Sequence, residues 1–274
     1  MIRELWGDQR GHVAGEVPAP IAAPHLRQDP WWALPLTVFV VFTTFIVYAT
    51  WAALQNAHYY VDPYLSPFYS PCLYARCLHP TFGAGVGLRE LVAPVVGIVS
   101  PAVLILWGPG VFRLTCYYYR KAYYRSFWLA PVACGVRDAR PRYTGETRFP
   151  LILQAFHRYT WYIALIFLAF LTWDALLAFR FPDGLGVGVG TLVMWVNVVL
   201  LGLYTFSCHS CRHLCGGHVD VFSRAPSRYG LWRVISRLNE RHPAYAWLSL
   251  FSVALTDLYI RLVSMGVIRD ARIF

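Results

Sequence analysis

The sequence predicts an all-α integral membrane protein, a five-helix transmembrane bundle, and three observations carry that prediction. Of 274 residues, 57% are hydrophobic and only 14% charged, and the mean hydropathy is +0.44, too apolar for a soluble domain of this size. Five apolar runs, near 32–54, 91–114, 152–179, 187–209 and 245–267, are each long enough to cross a hydrocarbon layer of about 30 Å, which takes about 20 helical residues. Basic residues crowd alternate connections between those runs, as they do on the cytoplasmic side of membrane proteins.

The run near 32–54 follows a Pro-rich, polar stretch, so residues 1–30 are expected to form a cytoplasmic arm and 31–274 the membrane domain. The start lacks a short apolar core followed by a small-residue cleavage site, and no cleaved signal peptide is expected. The second run contains Pro94, Pro101 and Pro109, so kinks are expected there. Between the first two runs, 59–80 is dense in Tyr and Pro and reads as a packed outer cap. The connection 112–149 holds Arg113, Arg120, Lys121, Arg125, Arg137, Arg140, Arg142 and Arg148. The connection 212–241 holds Arg212, Arg224, Arg228, Arg233, Arg237 and Arg241, whereas 56–90 has only Arg76 and Arg89. The amino terminus is therefore expected in the cytoplasm and the carboxyl terminus outside, in a multi-pass protein of the cell membrane. The formal charge of +10 lies in these connections and is a topology signal, not a nucleic-acid footprint. Asp257 and Arg261 stand one turn apart in the last run and read as an internal ion pair, with Asp174 toward the outer end of the third.

The chemistry gathers where the fourth run ends, in T-F-S-C-H-S-C-R-H-L-C-G-G, 205–217. On a continuous helix Tyr204, Cys208, Cys211 and Cys215 share a stripe, and His209 and His213, at i and i+4, are placed to chelate one ion. Cysteines are common packing residues, but ionisable rings at the end of an apolar span point to function. The topology puts Cys116, His157 and the 208–213 group at one depth, with Cys134 able to fold back to it. Thiolates with imidazoles suit zinc or an iron–sulfur cluster, two of each being the mixed set of a Rieske-type [2Fe–2S] centre. A haem b between His157 and a histidine of the fourth helix is the competing use. The pair Cys77/His79 with Cys215/His218 imitates a soluble Rieske string, but the expected topology puts the two halves on opposite membrane faces. Seven cysteines give no disulfide framework, Cys72 with Cys77 excepted.

The segment C-Y-Y-Y-R-K-A-Y-Y-R-S-F-W, 116–128, mixes aromatics with cations. It fits an interfacial belt, a docking face for a soluble partner or the mouth of a quinone pocket. Tyr119, Lys121 and Arg125 offer donors there, Trp128 and Trp247 apolar walls, and His242 a proton.

These strings, with Q-N-A-H-Y-Y-V-D-P-Y-L-S-P-F-Y-S-P-C, Y-T-G-E-T-R-F-P-L-I-L-Q, C-H-S-C-R-H and T-D-L-Y-I-R-L-V-S-M-G, resemble the membrane anchor of actinobacterial type F succinate dehydrogenases from about Thr50 onward. The resemblance implies a respiratory complex II, in which the chain docks a flavoprotein subunit and an iron–sulfur subunit. It also implies electron delivery to menaquinone or another quinone in the lipid bilayer, with a Rieske-type [2Fe–2S] cluster in place of haem. Activity would belong to the complex. The expected ligand set is Cys116, Cys134, His209 and His213, with Cys208, Cys211 and His157 in reserve. The contrasting class is a structural or transport subunit with a zinc site, although no inverted repeat with broken helices is visible.

Overall fold

The computed structural model describes residues 29–71, 100–129, 132–136, 149, 151–217 and 219–274. The arm up to residue 28, Cys72, Cys77, His79, the 91–99 part of the second run, Arg137, Arg140, Arg142, Arg148 and His218 lie outside them. Eight helices are described: α1 Ala33–Gln55, α2 Pro101–Thr115, α3 Tyr117–Tyr123, α4 His157–Leu177, α5 Val189–Phe206, α6 His209–Gly216, α7 Pro226–Glu240 and α8 His242–Ser264. Two short hairpins, β1 Tyr60–Val61 with β2 Tyr64–Leu65 and β3 Arg180–Phe181 with β4 Gly184–Leu185, lie at one end.

Four helical stretches are long and apolar enough to cross a membrane: α1, α4 with its leading 3-10 turn (Ile152–Leu177), α5 and α8. The described part of the second run, α2, has 15 residues, so four of the five expected spans are found at full length. Pro101 opens α2, where its missing N–H is no loss, and Pro109 lies inside it. At Gly108 the α2 backbone meets α4 so closely that a Cβ would lie 2.6 Å from Phe167 Cε2.

The expected fourth helix to residue 209 is corrected. It stops at Phe206, Ser207 and Cys208 turn the chain with Cys208 extended (ψ 143°), and α6 starts afresh at His209. Tyr204, Cys208 and Cys211 nonetheless share one buried cluster. Helix α7 was not anticipated. Its arginines hid a 15-residue amphipathic helix with Pro226 in its first turn and Ile235 buried.

At the hairpin end buried polar groups pair internally, as a low-dielectric interior requires. Arg261 Nε donates to Asp257 Oδ2 at 2.7 Å, and Tyr48 Oη donates to the same oxygen at 2.6 Å. Ser66 Oγ donates to the other carboxylate oxygen. The remaining Arg261 nitrogens donate to the carbonyls of Ala57 at 2.9 Å and Ala52 at 2.8 Å. The expected ion pair thus also ties α1 and the β1–β2 segment to α8. Asp174 accepts from Ser70 Oγ.

A buried thiol–imidazole centre

Four junctions meet at the other end of the bundle. Cys116 is the extended residue between α2 and α3 (ψ 127°), and Cys208 is the extended residue between α5 and α6. His157 is the first residue of α4 and His242 the first of α8. His157 Nε2 lies 3.0 Å from Cys208 Sγ, and His242 Nε2 lies 3.5 Å from Cys116 Sγ. Both cysteines are nearly sealed from solvent and belong to one core cluster with Phe112, Tyr119, Trp161 and Tyr204.

Each imidazole is held at its far side. His157 Nδ1 is 2.9 Å from Thr115 Oγ1, and His242 Nδ1 is 2.7 Å from Ser207 Oγ. The Phe112 ring stacks on His157 (centroids 5.0 Å, 6° between planes), and Tyr204 stacks on His242 (5.1 Å, 19°). Arg113 lies over Tyr204 at 4.7 Å and donates to Tyr119 Oη at 2.7 Å and Ser249 Oγ at 3.1 Å.

The donor set fits a metal group. Burial pushes the Cys116 thiol up, and pushes Cys208 to about 12, with the charge of Cys116 adding to the rise. Buried thiols of this kind keep their protons until a metal replaces them. The amino-terminal ends of α6 and α8 meet here and favour negative charge. The Tyr204 hydroxyl is buried in the same cluster, beside the Cys116 thiol. The four donors come as two contacting pairs, and among the described residues no three His, Cys, Asp or Glu side chains gather around a point for one ion. Two thiols and two imidazoles are the donor set of a mixed-ligand [2Fe–2S] centre and equally of a Cys2His2 zinc site.

Other expected ligands fall elsewhere. His209 and His213 are exposed on α6, and Arg158 Nη2 donates to His213 Nδ1 at 2.7 Å. The helix restart at His209 leaves both exposed. Cys211 is buried beside Cys215, its thiol raised to about 12 by burial first and by Cys215 second. Cys134 is exposed and lines a cavity of about 770 Å³ together with Lys121, Arg125, Tyr118 and Trp247. Trp128 packs on Tyr123 and Tyr124 instead, and Tyr119 is enclosed in the core. His242, expected at a quinone, belongs to the thiol–imidazole centre. Its position could have been anticipated from the opening of the last helix, the same depth that singled out His157. A second, more apolar cavity of about 570 Å³ runs between α1, α2 and α4. Phe45, Trp107 and Phe167 wall it, and Phe112, Arg113, Tyr204 and Thr205 close it toward the centre.

Fold and site together define a polytopic, all-helical membrane subunit with a potential metal centre at one end of its bundle. The chain belongs to the family described as actinobacterial succinate dehydrogenase subunit SdhC, which matches residues 33–266. It is thus a membrane subunit of a succinate dehydrogenase complex. It is similar to a chain of the Mycobacterium smegmatis Sdh1 complex in the apo form, at 43% identity and a TM-score of 0.82, covering 93% of this chain and 96% of that one. No curated protein matches it.

Proposed function

We propose that this subunit anchors a succinate:quinone oxidoreductase and holds a Rieske-type [2Fe–2S] cluster on Cys116, Cys208, His157 and His242. The observation that carries the reading is the meeting of two thiols and two imidazoles, each from a different helix junction, with both thiols in one buried cluster. Bound there, the cluster supplies a one-electron relay between the soluble subunits and quinone. This ligand set retains Cys116 and promotes Cys208 and His157 from reserve, with His242 in place of the exposed histidines.

The arginine-rich connections support a cytoplasmic position for this end, with the amino terminus inside and the carboxyl terminus outside. The flavoprotein and iron–sulfur subunits dock on that face, where exposed Arg224, Arg228, Arg233 and Arg237 gather on and beside α7. Menaquinone or a similar quinone sits in the 570 Å³ cavity, whose walls Phe112 and Tyr204 also touch the two histidines. Arg113, whose guanidinium also bonds Tyr119 and Ser249, gives this cavity its cationic end, and the apolar wall accepts the ring and tail. The Lys121, Arg125 and Trp247 cavity has cationic donors but is not walled by these two rings.

The test is the double substitution His157→Ala with His242→Ala in the assembled complex. A low-temperature EPR signal of a histidine-ligated cluster should vanish and succinate-to-quinone transfer should fall below about 1% of normal, while succinate oxidation by a soluble dye persists. Normal quinone reduction in an intact double mutant refutes the reading.

A further inference from the structure

The two imidazoles share an arrangement that bears on which ring nitrogen binds metal. In both, Nε2 faces a cysteine sulfur and Nδ1 faces a hydroxyl. Each hydroxyl has one hydrogen to give and a main-chain carbonyl that can only accept it. Thr115 Oγ1 donates to Val111 O at 2.8 Å, and Ser207 Oγ donates to Tyr204 O at 3.2 Å. When each hydroxyl gives its hydrogen to that carbonyl, the lone pairs of both oxygens are left for Nδ1–H. A neutral imidazole carries one hydrogen, so placing it on Nδ1 bares the Nε2 lone pair.

The supports are themselves braced. Thr160 Oγ1 lies 3.1 Å from Thr115 Oγ1 and donates to the His157 carbonyl at 3.0 Å. Asn239, near the end of α7, donates to the Ser207 carbonyl at 2.7 Å. The turn carrying Ser207 is thereby fixed by the helix that the sequence had concealed. Ligand histidines commonly give their second N–H to an acceptor that sets the ring's tautomer and raises its basicity.

We propose that Thr115 and Ser207 are positioning residues that hold the hydrogen on Nδ1 of His157 and His242, so that both histidines bind iron through Nε2. This rests on the ligand set proposed above, and the experiment separates the two. The full complex is produced with histidine carrying ¹⁵N at Nδ1 only or at Nε2 only, and the reduced cluster is examined by pulsed EPR. The strongly coupled nitrogens should change isotope with the Nε2 label and be unaffected by the Nδ1 label. The reverse pattern overturns the inference and leaves the ligand set standing. Absence of any strongly coupled histidine nitrogen overturns both.

Thr115→Val and Ser207→Ala give a second readout. Loss of the acceptor lowers imidazole basicity, so the cluster's reduction potential should shift upward in each, while Thr115→Ser keeps the normal value. Co-purification of the peripheral subunits with this one verifies that the complex has assembled. An unchanged potential in both Thr115→Val and Ser207→Ala, with the complex intact, overturns the positioning role.

Discussion

Replacing Asp257 by Ala removes the one carboxylate that Arg261, Tyr48 and Ser66 share. Arg261 is then left as a charge with 1% of its surface exposed. Breaking a buried pair from one side costs about 3–5 kcal/mol. Arg261 keeps its bonds to the carbonyls of Ala52 and Ala57, which favours the lower end, but Tyr48 and Ser66 each lose an acceptor at about 1 kcal/mol or more. A loss of about 4 kcal/mol lowers the folded-to-unfolded ratio by roughly a thousandfold. Arg261→Met in the Asp257→Ala background removes the stranded charge and should restore more than half of that loss. The assay is the half-life of the detergent-solubilised complex on heating, with denaturant unfolding of the subunit where it is reversible. A single mutant within about 1 kcal/mol of the parent, or a double mutant no better than the single, refutes this account of the ion pair.

Three further outcomes are expected. Gly108→Val should cost about 1–3 kcal/mol through overpacking, because a Cβ there meets Phe167 at 2.6 Å; a thermal shift within error speaks against that close approach. In cluster-free protein with Cys72, Cys77 and Cys215 changed to Ser, a maleimide at pH 7 should label exposed Cys134 quickly and Cys208 hardly at all. A thiol raised to about 12 is thiolate to only about one part in 10⁵ at that pH, and its labelling should rise about tenfold per pH unit below 12; equal rates at pH 7 contradict the buried site. Arg113→Met should raise the quinone KM about tenfold or more while dye-linked turnover is kept, and an unchanged KM moves the quinone seat to the Lys121 and Arg125 cavity.

Much of this was legible in order along the chain, because a membrane enforces a simple code. Lipid demands about 20 apolar residues per crossing, so α1, α4, α5 and α8 could be read from hydropathy alone. The Asp257–Arg261 pair was legible too, since two charges one turn apart inside an apolar helix have few partners but each other. Family membership was carried by long, unusual strings that 274 residues would not share by chance.

Which cysteines and histidines meet was not legible, because that depends on where helices stop and not on their composition. Continued by one turn, α5 would have carried Cys208, His209 and His213 on one unbroken helix. The turn at Ser207 and Cys208 instead faces Cys208 toward His157 and leaves His209 and His213 exposed. Nor could local pattern show that His242, 126 residues after Cys116, would lie 3.5 Å from its sulfur. Hydropathy fixes how many times a chain crosses the membrane; only the packing of α2, α4, α5 and α8 decides which junction residues share the buried end, since side-chain contacts across helices depend on rotation and register that no single helix's sequence encodes.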